Sequence, residues 1–370
     1  MLIFIWGMFK KLLLYILFIV LSIGVFSCAS DDNYIPTDPV LTSPVVFNIT
    51  EVPYPTLSEY NFFEGDINAL KPVYGVLPYD LNSALFSDYA KKKRFVWMPE
   101  EVNAQYVNDY TSFDFPLGTV LIKNFYYENV QPSNNTKILE TRLMIKKETE
   151  WEFAKYVWND EQTEANLTSD GRFVALDWIQ DGSNRSVNYR IPSHAECFTC
   201  HNKFGTPVAI GPKPQNLNMN YTYPEGNQNQ LQKWINQGYL EDNLPTNITT
   251  SVNWQNESES LESRARSYID INCAHCHSDE SYCGYRPMRF AFNENNNLIN
   301  MGVCVEPETN IDDNLTHIIT PNSPQESVVY FRMSSTEEQY RMPLLGRTLQ
   351  HREGVRLIEE YINSLINDCE

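Results

Sequence analysis

Residues 273–277 read Cys-Ala-His-Cys-His, and residues 197–201 read Cys-Phe-Thr-Cys-His. Both are C-x-x-C-H, the attachment signature of a c-type haem. The spacing has a physical cause. Two thiols three positions apart on a helical turn can reach the two vinyl groups along one porphyrin edge. The His that follows the second Cys then places its Nε2 beneath the iron. Zinc is the competing reading, with the same side chains acting as four thiolates or as two thiolates and two imidazoles. The immediate His after each pair, and the export signal described below, favour haem. A thioredoxin-like redox pair needs a βαβ setting, which surrounds neither motif.

Upstream of Cys273, the positions Leu261, Ala265, Tyr268 and Ile269 fall at i, i+4, i+7 and i+8, the stripe of a helix that runs into the motif. Downstream stands Tyr340-Arg341-Met342-Pro343-Leu344-Leu345-Gly346. Pro343 fixes its own φ and pushes Met342 out of helical geometry, so the thioether is offered from a loop. A closing helix is predicted from His351 to about Ile366, with Val355, Ile358, Ile362 and Leu365 along one stripe. Helix, C-x-x-C-H, Met-Pro and helix, in that order, resemble a class I cytochrome c domain. The resemblance implies His277 and Met342 as the two axial ligands of one haem; the alternative for Met342 is a core methionine. His/Met ligation saturates the iron and suits electron transfer better than small-molecule activation.

The first motif is less complete. Gly211-Pro212-Lys213-Pro214-Gln215-Asn216-Leu217 resembles the Gly-Pro-x-Leu segment of class I cytochromes, which implies a proline carbonyl as the acceptor for Nδ1–H of His201. No Met-Pro follows it before the polar stretch at 242–258, which reads as a linker. Met219 is the nearest sulfur donor; His317, His351, another ligand type or an open position are the alternatives for the sixth ligand of this iron. His194 lies too close to Cys197 to serve on the far side, and His275 reads as a solvent-facing filler.

At the N-terminus, Lys10-Lys11 and the apolar run Leu12–Ser27 lead into Cys28. Val25-Phe26-Ser27-Cys28 resembles a bacterial lipobox, which implies a lipidated Cys28 and a location on the periplasmic or cell-surface side of the envelope. A single membrane anchor is the alternative. From residue 41 to 190 the period is that of strands. Arg94–Met98, Thr119–Tyr127, Lys137–Lys147, Trp151–Trp158, Arg172–Ile179 and Arg185–Arg190 are short β-branched and aromatic runs separated by turn clusters. Lys91–Arg94 reads as a solvated strand edge. The expected fold is α+β and multidomain. It comprises a signal peptide (1–27), a tether (28–40), an all-β sandwich-like domain (41–190), a first haem-bearing segment (191–250) and an all-α cytochrome c-like domain (251–370). Of the remaining cysteines, Cys283 and Cys304 are expected to form a disulfide, leaving Cys369 unpaired.

The balance of 28 Lys and Arg against 47 Asp and Glu, a formal net charge of −19, excludes a general nucleic-acid binder. It favours protein partners with a basic docking patch. Cys197–Asn202, Gly211–Asn218, Met342–Arg347 and the segment Pro78–Tyr89 together resemble a family of bacterial dihaem c-type cytochromes over roughly residues 70–370. The resemblance implies two covalently attached haems and electron transfer outside the cytoplasm; the alternative function is a dihaem peroxidase-like oxidoreductase with an open first haem.

Overall fold

Eight of the β-branched and aromatic segments pair into one antiparallel sheet. Its strands are β1 (Leu77–Tyr79), β2 (Lys91–Trp97), β3 (Val120–Val130), β4 (Asn135–Lys146), β5 (Trp151–Trp158), β6 (Ala165–Leu167), β7 (Arg172–Gln180) and β8 (Ser183–Ile191). The computed structural model from which these are taken describes residues 41–366 and Cys369, with residues 7–8, 11–12 and 14–16. Cys28, the tether and most of the signal peptide lie outside the described residues. Among the described residues, no helix is long and apolar enough to cross a membrane.

Strands β1 to β6 follow one another in space, and β7 leaves the far end of β3 at Val130↔Trp178 with β8 beside it. Side chains alternate between faces along a strand, so residues directly opposite across neighbouring strands share a face. Phe95, Ile122, Leu143 and Ala154 stand in register on one face of β2–β5. They bury against Tyr54, Tyr60, Phe62 and Phe63 of the irregular segment 43–76. Val96, Leu121, Met144 and Phe153 form the matching row on the other face. Over that row lie residues from 104–115 and 209–240, with Trp234 fully buried among Tyr79, Phe113 and Phe115.

The helices are short. They are α1 (His194–Cys200), α2 (Pro214–Leu217), α3 (Gln230–Asn236), α4 (Leu261–Ile269), α5 (Leu298–Met301), α6 (Val328–Ser334) and α7 (Arg352–Ser364). In a third core, α4 and α7 bury Ala265, Tyr268 and Ile269 against Val355, Ile358 and Ile362. Gly354 lies directly against Tyr268: a Cβ built there would stand 2.2 Å from the Tyr268 hydroxyl, so glycine alone permits this approach.

This architecture corrects the expected fold class. The chain is β-rich with about 22% helix, and residues 251–370 do not form a large all-α cytochrome domain. Nor do two sheets form a sandwich, for the eight strands belong to one sheet. Ser43–Glu370 is a single compact unit. The reason lies in the residues between α4 and α7. Asn293–Asn297 and Glu306–Asn314 are crowded with Asn, Asp and Pro, which favour caps and turns over helix interiors. Asn295, nearly fully buried, uses its amide to satisfy the carbonyls of Arg266 and Phe290 in place of a helical ladder. The polar stretch 242–258 is no free linker either. Just ahead of it Glu241 N–H donates to the Ala104 carbonyl (3.1 Å), and within it Thr249 N–H donates to Asp109 (2.8 Å) and Ser251 N–H to the Gln215 carbonyl (3.0 Å).

The disulfide also differs. Cys304 bonds Cys369, across 65 positions, and Cys283 is a free thiol. The cross-link ties Cys369 back to Cys304, just ahead of the segment Glu306–Asn314, so Cys369 is not solitary. Closing a loop of that length removes roughly 4 kcal/mol of unfolded-state entropy in the chain-entropy model. Cys369→Ser should therefore lower the unfolding free energy by roughly 2–4 kcal/mol, read by urea denaturation. A non-reducing peptide map of the Cys283→Ser variant should still join Cys304 to Cys369.

Candidate functional site

Residues 193–201 build the first motif. Ser193 and Glu196 form a reciprocal capping box that starts α1, and Glu196 is held further by Arg190 at 2.9 Å. These bonds keep the Glu196 carboxyl below the usual carboxylate range against the opposing effect of burial. The helix is one turn longer than the Cys spacing needs, so Cys197 and Cys200 share a face. His201 follows as the C-cap, its N–H bonded to the Cys197 carbonyl at 3.0 Å. Its Nδ1 lies 2.9 Å from the Val208 carbonyl. A carbonyl can only accept, so Nδ1 carries the proton and Nε2 keeps its lone pair. Burial holds the ring neutral, its pKa pushed down to about 4. The acceptor is thus Val208, not a proline of the 211–218 segment.

The second motif grows out of α4 through a wider turn at Asp270–Ala274. Cys276 and His277 N–H groups both donate to the Cys273 carbonyl, at 3.1 and 3.0 Å. The His277 ring meets Phe290 edge-on at 5.3 Å, and burial lowers its pKa to about 4. Its Nδ1 is buried without a partner among the described residues.

Each motif opens on its own cavity. The larger, about 290 Å³, is walled by Cys273, Cys276, His277, Met342, Met333 and Phe290 among others. The smaller, about 150 Å³, lies between α1 and the sheet, with Cys197, Cys200 and His201 on one side and Leu121, Lys123 and Arg142 on the other. The two share a wall of Cys200, His275, Pro343 and Leu345. In that wall the sulfurs of Cys200 and Cys276 and a ring nitrogen of His275 lie within 4.8 Å of one another. The Cys200 thiol is pushed well down by the hydrogen bond from Cys276 and by His275, and Cys276 is pushed up in return.

Met342 therefore shares a cavity with Cys273, Cys276 and His277, as the sequence suggests. Its loop is fastened by Arg347, which is 3% exposed. The guanidinium donates to the carbonyls of Met342 (3.0 Å), Leu349 (3.0 Å), Arg332 (2.9 Å) and Ser335 (2.9 Å). Met219 lines neither cavity. His317 lines neither, and bonds Thr316. His351 lines neither of these two cavities; it stacks on Phe86 at 4.0 Å and meets the Tyr268 hydroxyl at 2.9 Å, in a small hollow with Cys273 and Met342. His275, read as a filler, stands in the shared wall. Lys123, Arg142, Lys155 and Met144 line the first cavity although no motif marks them. They sit inside strand runs, and only the register of the sheet shows that they face α1.

No family model, curated protein or solved structure matches this chain. The functional reading therefore rests on the motifs and on the geometry around them.

Arg347 offers a direct check of how the Met342 loop is held. Removing a buried guanidinium that satisfies four carbonyls leaves three of them, those of Met342, Leu349 and Ser335, without that partner, while that of Arg332 keeps the Met342 N–H. Arg347→Ala should cost roughly 3–5 kcal/mol of stability, and Arg347→Lys most of that, because an ammonium cannot span the same fork. Urea denaturation of both variants beside the parent measures the loss.

Proposed function

We propose that this chain is a dihaem c-type cytochrome: it attaches one haem at Cys197, Cys200 and His201 and another at Cys273, Cys276 and His277, and it serves in electron transfer outside the cytoplasm. The observation that carries the reading is the pairing of each C-x-x-C-H with a cavity of its own, the two cavities meeting at Cys200 and Cys276.

The residues present fit the group. In each motif the two cysteines are free to form thioethers. His201 has its tautomer set by Val208, which leaves Nε2 for a metal, and both histidines are neutral as ligands must be. Met342, held by Arg347, supplies a sulfur in the second cavity. Phe290, Ile318, Val328 and Leu344 give that cavity apolar walls that exclude water. When bound, haem iron supplies one-electron oxidation and reduction. Because the attachment points of the two groups stand side by side, the protein holds its redox centres within one unit and needs no domain motion to bring them together. We further infer a lipid anchor through Cys28 at the cell envelope and partners that meet an acidic surface with a basic one.

A metal-ion reading is favoured by one observation, the Cys200–His275–Cys276 cluster. It is chemically exclusive of the first, since Cys200 and Cys276 cannot be both thioethers and thiolates.

Expression in a host that matures c-type cytochromes decides between them. The denatured, acid-acetone-washed protein should retain two haems per chain by pyridine haemochrome assay. Cys197→Ser with Cys200→Ser should retain one. Met342→Ala should keep both and convert one from low spin to high spin, with a lower midpoint potential. A colourless chain that holds a stoichiometric zinc ion would replace this function with a structural metal site.

A further inference from the structure

The sheet face beneath the first motif carries a row of cations that the attachment chemistry does not use. Arg94 on β2 stands opposite Lys123 on β3, Lys123 opposite Arg142 on β4, and Arg142 opposite Lys155 on β5. Four consecutive strands thus place like charges directly across from one another on one face, an arrangement that is unfavourable unless something neutralises it. Lys92, one pair further along β2, joins the group. This corrects in part the reading of Lys91–Arg94 as a solvated edge: Lys91 and Lys93 are exposed, but Arg94 is buried and β2 is paired on both sides. A chain with a net charge of −19 has gathered five cations on one sheet face, two of them, Arg94 and Lys155, buried and three partly buried.

Their partners do not balance them. Arg94 pairs with Asp80 through one terminal nitrogen, and its Nη2 is buried with no partner among the described residues. Arg142 pairs with the fully buried Glu140, which Tyr189 also holds at 2.9 Å. Lys155 reaches the carbonyls of Asp170 and Pro192, and Lys92 that of Leu85, none of which carries charge. Lys123, in the middle of the row, has no hydrogen-bond acceptor among the described residues and lies over the face of Phe125 at 5.0 Å. Glu196, the other carboxylate at the cavity, is taken by Arg190 and Ser193. Lys123, Arg142 and Lys155 line the cavity with one further carboxylate beside them, Glu140 on Arg142, which leaves a surplus of two. Lys123, Arg142 and Lys155 turn that surplus toward the cavity shared with Cys197 and His201.

We propose that Lys123, Arg142 and Lys155, the part of the row that faces the cavity, are the seat of the two carboxylate arms of the porphyrin attached at Cys197 and Cys200. The proposal rests on the haem reading given above. Two carboxylates match the size and sign of the surplus, and Lys123, free of other partners, is the residue left to meet them. A cation at this place disfavours the ferric state, which carries the greater positive charge, and so sets the potential of this centre.

The experiment uses the full-length, haem-loaded protein carrying Lys123→Gln, with Lys123→Arg as the charge-conserving control. Removing a half-exposed side chain that makes no hydrogen bond leaves the fold intact, and circular dichroism checks it. Spectroelectrochemical titration should show one midpoint potential shifted downward in Lys123→Gln and unshifted in Lys123→Arg, with the other midpoint unmoved in both. The haem count should stay at two and the ferric spin state unchanged. Unmoved midpoints in Lys123→Gln would place the carboxylates elsewhere and overturn the proposal. A change of ferric spin state would overturn it differently, by making Lys123 a ligand of the iron. A parent protein without covalent haem defeats the underlying reading instead, and the count reports that before any potential is measured.

Discussion

One loop holds the described structure together. The segment Asp80–Asp88, between β1 and β2, sends a polar contact into every part of the chain that bears on the motifs. Asp80 N–H donates to the Gln230 side chain (2.7 Å), Asn82 N–H to the Asn216 carbonyl (2.9 Å) and Phe86 N–H to the Asn272 side chain (2.8 Å). The Asp88 carboxylate receives the N–H groups of Thr348 (2.7 Å) and Leu349 (2.8 Å), just beyond the Met342 loop. Burial pushes the Asp88 carboxyl above its ordinary value even so, which shows how dry this seam is. Buried polar groups are expensive unless each is paired, so the segments on either side of the seam have one way to fit.

That constraint explains why the strands and the two motifs form one unit. The sheet needs cover on the face that carries Val96, Leu121, Met144 and Phe153, and residues 209–240 supply it with Trp234 at the centre. The same residues bring α1 and α2 against the sheet. Asp270, at the end of α4, then accepts from Gln215 (2.9 Å) and Phe292 N–H (3.0 Å), which joins the second motif to the first. Neither cavity is a property of a separable domain: each has walls drawn from distant parts of the sequence.

Much of the local structure was legible. Strand runs were marked by alternation and β-branched residues, and α4 and α7 by their stripes; these are local signals that a periodic pattern carries. The motifs were legible because their spacing has few other uses. Larger-scale organisation was not. Polar side chains at 242–258 and 293–297 look like linker in a sequence, yet in the structure they bond backbone groups and bind the segments together. The pairing of Cys304 with Cys369 depends on a fold-back that spacing does not reveal. Lys123, Arg142 and Lys155 were invisible for a different reason: each is ordinary in its own strand, and they become a row only when three strands align.

The closeness of Cys200 to Cys276 has a cost during biogenesis. A disulfide needs its sulfurs about 2.05 Å apart, and these two start within 4.8 Å. In an oxidising compartment they are each other's nearest trap. A chain that folds before its cysteines are modified will cross-link one motif to the other and close both to further chemistry. Attachment of haem at both motifs, as proposed, would therefore need a reductant for these thiols, or modification of the chain ahead of folding.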